Sequence, residues 1–252
     1  MHLILGPPGS GKTVFCLDRL REALRAKLAT SRLIVPTATM AEHLRNELAR
    51  EGFVFKPALV STFTKFVEPF CAATPGVSSG GLQIIVRDVL ARIPLTRYAA
   101  VREYAGFRAA AMGIVEEFSS AGGSIEDLEA CGVEPDFIRV YAAVLAALKQ
   151  RNLHLRAAQL RHAAASIAEV APAGVEELLF AGFYSFTAPE LAVVRALDVR
   201  VRLTVALAEW NGSQPSLEAL SDITRSTEVL RPAPAAVNRV LCVAPTLDME
   251  VS

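Results

Sequence analysis

An octapeptide near the amino end carries residue types that suit phosphate binding. It directly follows the apolar run at residues 2–5 and consists of Gly6, Pro7, Pro8, Gly9, Ser10, Gly11, Lys12 and Thr13. This order fits the P-loop pattern, in which the glycines permit positive φ angles and several backbone N–H groups point at one anion. The Lys12 ammonium can reach the β- and γ-phosphates of ATP, and the Thr13 hydroxyl is the expected Mg²⁺ ligand. We therefore predict a P-loop that binds ATP and Mg²⁺; an ordinary glycine-rich turn is the alternative.

A P-loop connects a strand to a helix, and the flanking residues fit that order. The apolar side chains of residues 14–28 recur near helical spacing, so that the helix dipole would face the bound phosphates. Further short apolar runs predict strands at residues 32–35, 57–60, 177–181, 199–207 and 239–243. Helical patterns follow at 39–50, with a capping box that starts at Thr39, after Phe63, at 188–197 and at 216–224. This alternation favours an α/β fold with a mostly parallel sheet.

The middle of the chain has a different pattern. From Leu82 to Val170 helical periodicity and alanine dominate, and no convincing strand pattern occurs. We therefore predict a P-loop α/β domain formed by residues 1–79 and 171–252, with residues 80–170 as an inserted helical subdomain. Residues 246–252 have the pattern of a helix that is cut short, and we expect the chain to be a piece of a longer protein.

The composition argues against several classes of protein. Hydrophobic residues make up 52% of the 252 residues, so long disorder is not expected. No uncharged apolar run is long enough to span a bilayer, and the first residues lack the pattern of a signal peptide. The four cysteines are scattered, which favours free thiols in a reducing cytoplasm: Cys16, Cys71, Cys131 and Cys242. We therefore expect a cytoplasmic protein that does not bind membranes.

A net charge of zero hides a segregation of charge along the chain. Residues 109–138 contain seven acids and no Lys or Arg. Residues 137–168 contain no acid, and their five basic residues are Arg139, Lys149, Arg151, Arg156 and Arg161. A basic helical face could follow a phosphate backbone, whereas a solvated surface or pairing with the acidic segment would explain the same pattern. Both interpretations stay open.

Together these features resemble the N-terminal region of superfamily 1 helicase-like proteins, most closely the AddB-type subunit of bacterial ATP-dependent helicase–nucleases. Beyond the P-loop, residues 33–37 with the helix after them resemble motif Ia, and residues 60–66 resemble the next motif. Residues 179–190 follow the Gly-Phe…Phe-Thr-x-Pro-Glu segment of the AddB-like family most specifically. The resemblance extends to about Trp210. It implies a helicase-like domain 1A with an inserted subdomain, acting in double-strand break repair.

The chain departs from active helicases where acidic residues are expected. In those proteins the strand of the last segment ends in Asp-Glu, which assists Mg²⁺ and activates water, but here Ala181 and Gly182 hold these places. Neither residue can bind a cation or accept a proton, so the resemblance implies weak or no hydrolysis by this chain alone. Glu209, beyond the strand at 199–207, could substitute as a catalytic acid or be an exposed loop carboxylate. Glu190 holds the family's Gln position but also completes a capping box with Thr187.

Loops after two of the predicted strands are candidates for contact with DNA. Thr37 and Thr62 lie just beyond strand ends, on the ligand side of a parallel sheet. In superfamily 1 proteins the equivalent loops touch single-stranded DNA, which implies DNA contacts from Thr37, Thr62, Phe63 and Lys65; core packing is the alternative for Phe63. The family's second motor domain and nuclease acids lie in regions that we expect this chain to lack. The resemblance also implies an AddA-like motor subunit as a partner.

Two other functions remain open from the residues. A loop of this composition and an inserted helical lid are also typical of small-molecule and nucleotide kinases, in which Arg87, Arg92 and Arg97 could be lid residues. No strand-end aspartate for the acceptor follows, however. A nucleotide-binding switch protein without a DNA role is the other alternative.

Overall fold

Six short strands form a sheet in which each pairing between them is parallel. The computed structural model describes residues 1–28, 30–122 and 124–231. The strands are β1 (His2–Gly6), β2 (Ser31–Val35), β3 (Val60–Thr62), β4 (Glu177–Phe183), β5 (Arg202–Ala208) and β6 (Ser226–Val229). Their order across the sheet is β3-β2-β4-β5-β1-β6. The predicted α/β fold with a mostly parallel sheet is therefore confirmed.

Helices connect the strands and also fill the middle of the chain. In chain order they are α1 (Lys12–Arg25), α2 (Ala38–Arg50), α3 (Phe63–Val67), α4 (Ser79–Arg92), α5 (Ala105–Ala121), α6 (Ile125–Ala130), α7 (Pro135–Gln150), α8 (Arg156–Glu169), α9 (Ala188–Asp198) and α10 (Gln214–Leu220). The predicted helical block is confirmed, because α4 to α8 follow one another without an intervening strand among the described residues.

Each face of the sheet is buried by its own set of helices. Side chains alternate along a strand, so that Phe180 of β4 faces α3, α8 and α9 while its neighbours Leu179 and Ala181 face α1 and α2. All three residues are completely buried. Burial of a side chain as large as Phe180 stabilises the fold by roughly 1.5–3 kcal/mol. The sheet is thus covered on both faces, as is usual for parallel strands.

The inserted helices have a core of their own. Buried residues of α4, α5 and α7 pack together, with Leu82, Val115 and Val144 among them. Helix α8 differs, because its apolar side chains, such as Ile167, join the core between the sheet and α9. The domain boundaries at residues 80 and 170 therefore stay a prediction, with α8 as the helix that ties the insert to the sheet.

Several predicted boundaries were wrong. The strand predicted at 57–60 begins at Val60, because Pro57 starts a single 3₁₀ turn that ends at Leu59. Helix α2 is capped by Thr37 and not by Thr39, since the Thr37 hydroxyl accepts the N–H of Met40 at 3.2 Å. Helix α1 begins at Lys12, so that part of the loop motif is already helical.

Other differences concern the end of the chain. Strand β5 begins at Arg202 instead of residue 199, because α9 continues to Asp198. Strand β6 was missed by the pattern analysis, since its four residues are all exposed and form no apolar run. The predicted strand at 239–243 and the helix start at 246–252 lie outside the described residues.

Cys16, Cys71 and Cys131 are free thiols, and Cys242 lies outside the described residues as well.

A buried carboxylate fixes the loop between α4 and α5 onto α7. The Asp136 side chain accepts hydrogen bonds from the backbone N–H groups of Thr96, Arg97 and Tyr98 at 2.8–3.1 Å. The Arg139 guanidinium donates a further bond to it at 2.8 Å. Burial raises the pKa of Asp136, but these hydrogen bonds and the Arg139 charge more than offset it, so that the net shift is downward.

We expect Asp136→Asn to lower the free energy of unfolding by about 2–4 kcal/mol at pH 7, because buried donors lose a charged acceptor. The pKa of Asp136 is lower in the folded protein than its unfolded value of about 3.9, so the carboxylate stabilises the fold at pH values above about 3.9. This stabilisation is lost as the pH falls below the pKa of the folded state. The difference between wild type and variant should therefore shrink as the pH falls from 4 towards 2. Urea titrations across this range measure it.

The matched control is Asp88→Asn. Asp88 is a partly exposed carboxylate on α4 that pairs with Arg92 at 2.8 Å, so its replacement should cost less than about 1 kcal/mol. Equal losses for the two variants at pH 7 would contradict the structural role of Asp136.

Candidate functional site

The loop between β1 and α1 requires glycine at three positions. Gly9 and Gly11 adopt positive φ angles of 80° and 87°, in the left-handed region that other residues rarely enter. A Cβ atom on Gly6 would lie 2.4 Å from the Leu230 carbonyl oxygen, which no real side chain tolerates. These three glycines of the octapeptide are thus required by the backbone path itself. The predicted order of strand, loop and helix is present.

This loop encloses a small cavity at the carboxyl edge of the sheet. Its volume is about 150 Å³. The cavity is lined by Pro8, Gly9, Ser10, Lys12, Thr13, Gly182, Phe183, Tyr184 and Ala208. The first N–H groups of α1 have no partner within the helix, and the helix dipole places partial positive charge beside them. Backbone donors, a lysine ammonium and a threonine hydroxyl are the groups that fit a phosphate with its cation.

Lys12 is the cation of this cavity. Its ammonium donates hydrogen bonds to the carbonyl oxygens of Gly6 at 2.6 Å and Pro7 at 2.7 Å, and to the Ser10 hydroxyl at 3.2 Å. Burial lowers the pKa of Lys12 below its ordinary value, and the nearby Glu209 carboxylate opposes this shift. The side chain is therefore held inside the loop, close to the start of α1 and to Thr13.

Strand register determines which residues surround the loop. Gly6 of β1 lies opposite Ala208 of β5, and Leu207 of β5 lies opposite Phe183 of β4. The ends of these three neighbouring strands therefore meet at one edge of the sheet. Glu209 directly follows β5, and its backbone N–H donates to the Gly6 carbonyl at 2.9 Å. Its side chain is exposed, and its charge acts on Lys12.

The end of β4 carries no acid and has an irregular backbone. Between Phe180 and Phe183 this strand contains one residue more than its partner β5, which is a β-bulge. Ala181 is completely buried in the core beneath α1. Gly182 has φ +84°, and a Cβ atom there would lie 2.8 Å from the thioether end of Met40. An acid at position 181 would be buried in this core, and an acid at position 182 would be strained by the φ angle and would displace the Met40 thioether.

A second cavity of about 390 Å³ adjoins the first across the segment from Gly182 to Tyr184. It is lined by Pro36, Thr37, Phe63, Thr64, Gly182, Phe183, Tyr184, Ser185 and Glu190. Thus Thr37 and Phe63, two of the four predicted DNA contacts, share one cavity. Thr62 and Lys65 belong to the same turn at the start of α3 but do not line it.

These four residues also have structural roles. The hydroxyls of Thr37 and Thr62 cap α2 and α3, since they accept the N–H groups of Met40 and Lys65 at 3.2 Å each. The Phe63 ring is 5% exposed and packs at 6.0 Å from the ring of Phe180, so that it presents little surface to a ligand. Lys65 is exposed on its helix and pairs with Glu68 at 3.0 Å.

Glu190 forms the predicted helix cap. Its carboxylate accepts hydrogen bonds from the Thr187 N–H at 2.9 Å and from the Thr187 hydroxyl at 3.0 Å. The capping box at the start of α9 is therefore confirmed.

The basic residues of the insert point to different places. Arg156, at the start of α8, donates to the Thr64 hydroxyl at 3.4 Å and so lies beside the second cavity. Arg151 instead donates to the Ala147 carbonyl within α7 at 2.8 Å. Arg161 lines a separate cavity of about 360 Å³ between α7 and α8. The segment therefore forms no single basic face.

Two aromatic residues were missed as site candidates. Tyr184 follows β4 and Trp210 follows β5, and their side chains are 61% and 49% exposed. A signal for them is present in the sequence, because each is an aromatic residue just beyond a buried parallel strand, where ligands bind.

Comparison with known protein families and with curated proteins gives no match to this chain. Within the described ranges, no helix combines the length and the apolar character needed to cross a membrane. Function is therefore inferred from the geometry of this edge of the sheet and from the chemistry of its residues.

We expect Gly182→Ala to destabilise the protein by about 2–3 kcal/mol, because it combines a positive φ angle with crowding against Met40. Gly132→Ala is the matched control. Gly132 has φ +70°, but a Cβ atom there meets nothing within 4 Å, so only the backbone term of about 1–2 kcal/mol should be lost. Denaturant titrations of both variants measure the difference. Equal losses would show that β4 can accept a side chain at this bulge.

Proposed function

We propose that this chain is the ATP-binding, DNA-associated domain of an AddB-like helicase–nuclease subunit. The observation that carries the proposal is the loop at residues 6–13, which borders a cavity of about 150 Å³ with the start of α1 and the Lys12 ammonium. The parallel sheet and the inserted helices are compatible with the helicase-like domain 1A that the sequence resembles. The resemblance supplies the expected context, which is the repair of double-strand breaks in the cytoplasm.

In this proposal the residues of the loop hold the triphosphate tail of ATP. The backbone N–H groups of Gly11, Lys12 and Thr13 donate to the β-phosphate, and the Lys12 ammonium turns from the loop carbonyls to the β- and γ-phosphate oxygens. Thr13 lies at the start of α1, where its hydroxyl can hold Mg²⁺. When bound, Mg²⁺ would neutralise phosphate charge.

Weak hydrolysis follows from the strand ends that face the loop. The side chains of Ala181 and Gly182 provide neither a cation ligand nor a general base. Glu209 is the acid whose charge acts on Lys12, but it belongs to an exposed turn. Its backbone N–H is bound to the Gly6 carbonyl and its side chain is exposed, so we assign it no catalytic step. Nucleotide binding thus serves a structural or regulatory role, and an AddA-like subunit supplies the motor.

The second cavity supports association with single-stranded DNA. It adjoins the phosphate cavity, and the two share Gly182, Phe183 and Tyr184 as a common wall. Thr37 and Thr64 offer hydroxyl groups there, Arg156 donates to the Thr64 hydroxyl at the cavity margin, and Lys65 follows Thr64 in α3. These groups suit contact with a sugar–phosphate chain.

The kinase alternative gains no support from the arginines of the insert. Arg92 pairs with Asp88 at 2.8 Å, and Arg97 pairs with Glu134 at 3.0 Å. Both guanidinium groups are thus paired with carboxylates of the insert itself.

Mg·ATP binding tests the proposal most simply. We expect Lys12→Ala to weaken it by roughly 10- to 150-fold, because a charged hydrogen bond to phosphate is lost. Lys56→Ala is the control, since Lys56 is exposed and precedes β3 at the opposite edge of the sheet. Isothermal titration calorimetry of the folded proteins measures both affinities.

Equal affinity of wild type and Lys12→Ala would contradict the nucleotide site. Turnover on the order of tens per second by the isolated chain without DNA would contradict the proposed weak hydrolysis, since that is an ordinary enzymatic rate.

DNA association has its own test. We expect Lys65→Ala to weaken binding of single-stranded DNA for all sequences and to reduce the slope of log K against log salt by about 0.7–1, the release of one counterion. Fluorescence anisotropy of a labelled oligonucleotide from 50 to 200 mM salt measures the slope, with Lys56→Ala as the control. An unchanged slope in Lys65→Ala would exclude this residue from the DNA contacts.

A further inference from the structure

Two exposed aromatic side chains lie side by side at the ligand edge of the sheet. Tyr184 and Trp210 follow the neighbouring strands β4 and β5, and about half or more of each side chain is open to solvent. Large aromatic residues normally bury most of their surface, so a pair this exposed beside two cavities calls for a functional explanation.

Both rings are held in position by the fold. The indole N–H of Trp210 donates to the Tyr184 carbonyl at 3.2 Å. The two rings meet edge to face, with centroids 6.4 Å apart. The six-membered part of the indole lies over Gly212, where a Cβ atom would be 2.2 Å from it. The two rings therefore contact each other, and the indole packs over the backbone of Gly212.

An exposed aromatic ring of this kind suits a nucleobase, and the perpendicular rings of Tyr184 and Trp210 each offer a face of their own. Base stacking is favourable on an exposed aromatic face, and it needs no hydrogen bonds to the edges of the base. Tyrosine and tryptophan also combine an apolar ring with a polar tip, which allows them to stay partly solvated until a ligand covers them.

The base of a nucleotide held by the loop is not the expected occupant. Tyr184 lines the same cavity as Lys12, and Trp210 directly follows Glu209, whose charge acts on Lys12. In a P-loop the lysine contacts the β- and γ-phosphates. The two rings thus stand at the terminal-phosphate end, and the base lies at the far end of the same triphosphate. A base that stacks here must come from a second molecule.

The neighbouring loops indicate which molecule that is. The strands β3, β2, β4 and β5 are adjacent in this order, and their ends carry Thr64, Thr37, Tyr184 and Trp210. With strands about 4.8 Å apart, this row is about 14 Å long. Hydroxyls and Arg156 lie at one end of the row, and the two aromatic rings lie at the other. This arrangement fits an extended polynucleotide.

We propose that Tyr184 and Trp210 form a stacking platform for bases of single-stranded DNA that crosses the carboxyl edge of the sheet. The proposal rests on the DNA association proposed above and adds the residues that hold the bases. Thr64, Lys65 and Arg156 then contact the backbone of the same strand.

The chain contains a single tryptophan, so its fluorescence reports on this surface directly. We expect a thymidine oligonucleotide of about 12 residues, within the usual site sizes, to quench the emission of Trp210. An oligonucleotide with abasic sites should bind more weakly and quench less, because it offers phosphates without bases. Mg·ATP alone should leave the emission nearly unchanged.

Variants separate stacking from phosphate contacts. We expect Trp210→Ala and Tyr184→Ala each to weaken oligonucleotide binding by roughly 5- to 150-fold in anisotropy titrations, and Trp210→Phe to retain most of the affinity. Tyr104→Ala is the matched control, because Tyr104 is 66% exposed at the start of α5 in the insert. Mg·ATP affinity should be unchanged in Trp210→Ala, Trp210→Phe and Tyr104→Ala, none of which alters a residue that lines the phosphate cavity. Circular dichroism and thermal unfolding show whether all four variants are folded.

Three outcomes would overturn the platform. One is wild-type affinity for the oligonucleotide in both alanine variants. Another is equal affinity of wild type for intact and abasic oligonucleotides. The third is a loss of Mg·ATP binding in Trp210→Ala with DNA binding intact, which would assign the rings to the nucleotide. If wild type itself binds no oligonucleotide by anisotropy, the proposed DNA association fails, whatever the variants do.

Discussion

The parallel register of β4, β5 and β1 brings the ends of these three strands to one edge of the sheet. The candidate site is formed at this edge and depends on this register. Gly6 must lie against the backbone of Leu230 and opposite Ala208, which leaves room for no side chain at this position. From there the chain can turn only through the left-handed glycines of the loop before α1 begins. The backbone donors at the start of α1 are thereby fixed around a small cavity, and the Lys12 ammonium is held beside them.

The same edge explains why binding and hydrolysis separate in this proposal. The bulge in β4 turns Gly182 into the left-handed region, and Met40 packs against it, so that an acidic side chain there would be strained and would displace Met40. Met40 belongs to the first turn of α2, which Thr37 caps. The wall between the two cavities is thus also a contact between β4 and α2.

Sequence patterns predicted the parts of the structure that depend on apolar runs and on strict backbone requirements. The loop glycines, the parallel sheet, the helical insert and the Thr187 cap belong to this group, because each has a local cause. Strand β6 was missed because it buries no side chain, and its pairing with β1 is a long-range contact. The bulge at Gly182 and the orientation of Trp210 depend on neighbours distant in sequence, so no local pattern could reveal them. The ATP and DNA ligands stay predictions.

Hydrogen exchange measured by mass spectrometry tests the central claim most directly, since that claim concerns main-chain amides. Addition of Mg·ATP should slow exchange in the peptide that covers residues 7–15, because phosphate oxygens would then accept the free N–H groups at the start of α1. The slowing should be absent in Lys12→Ala at the same nucleotide concentration. Protection confined to other segments, or unchanged exchange at saturating nucleotide, would contradict a phosphate site in this loop.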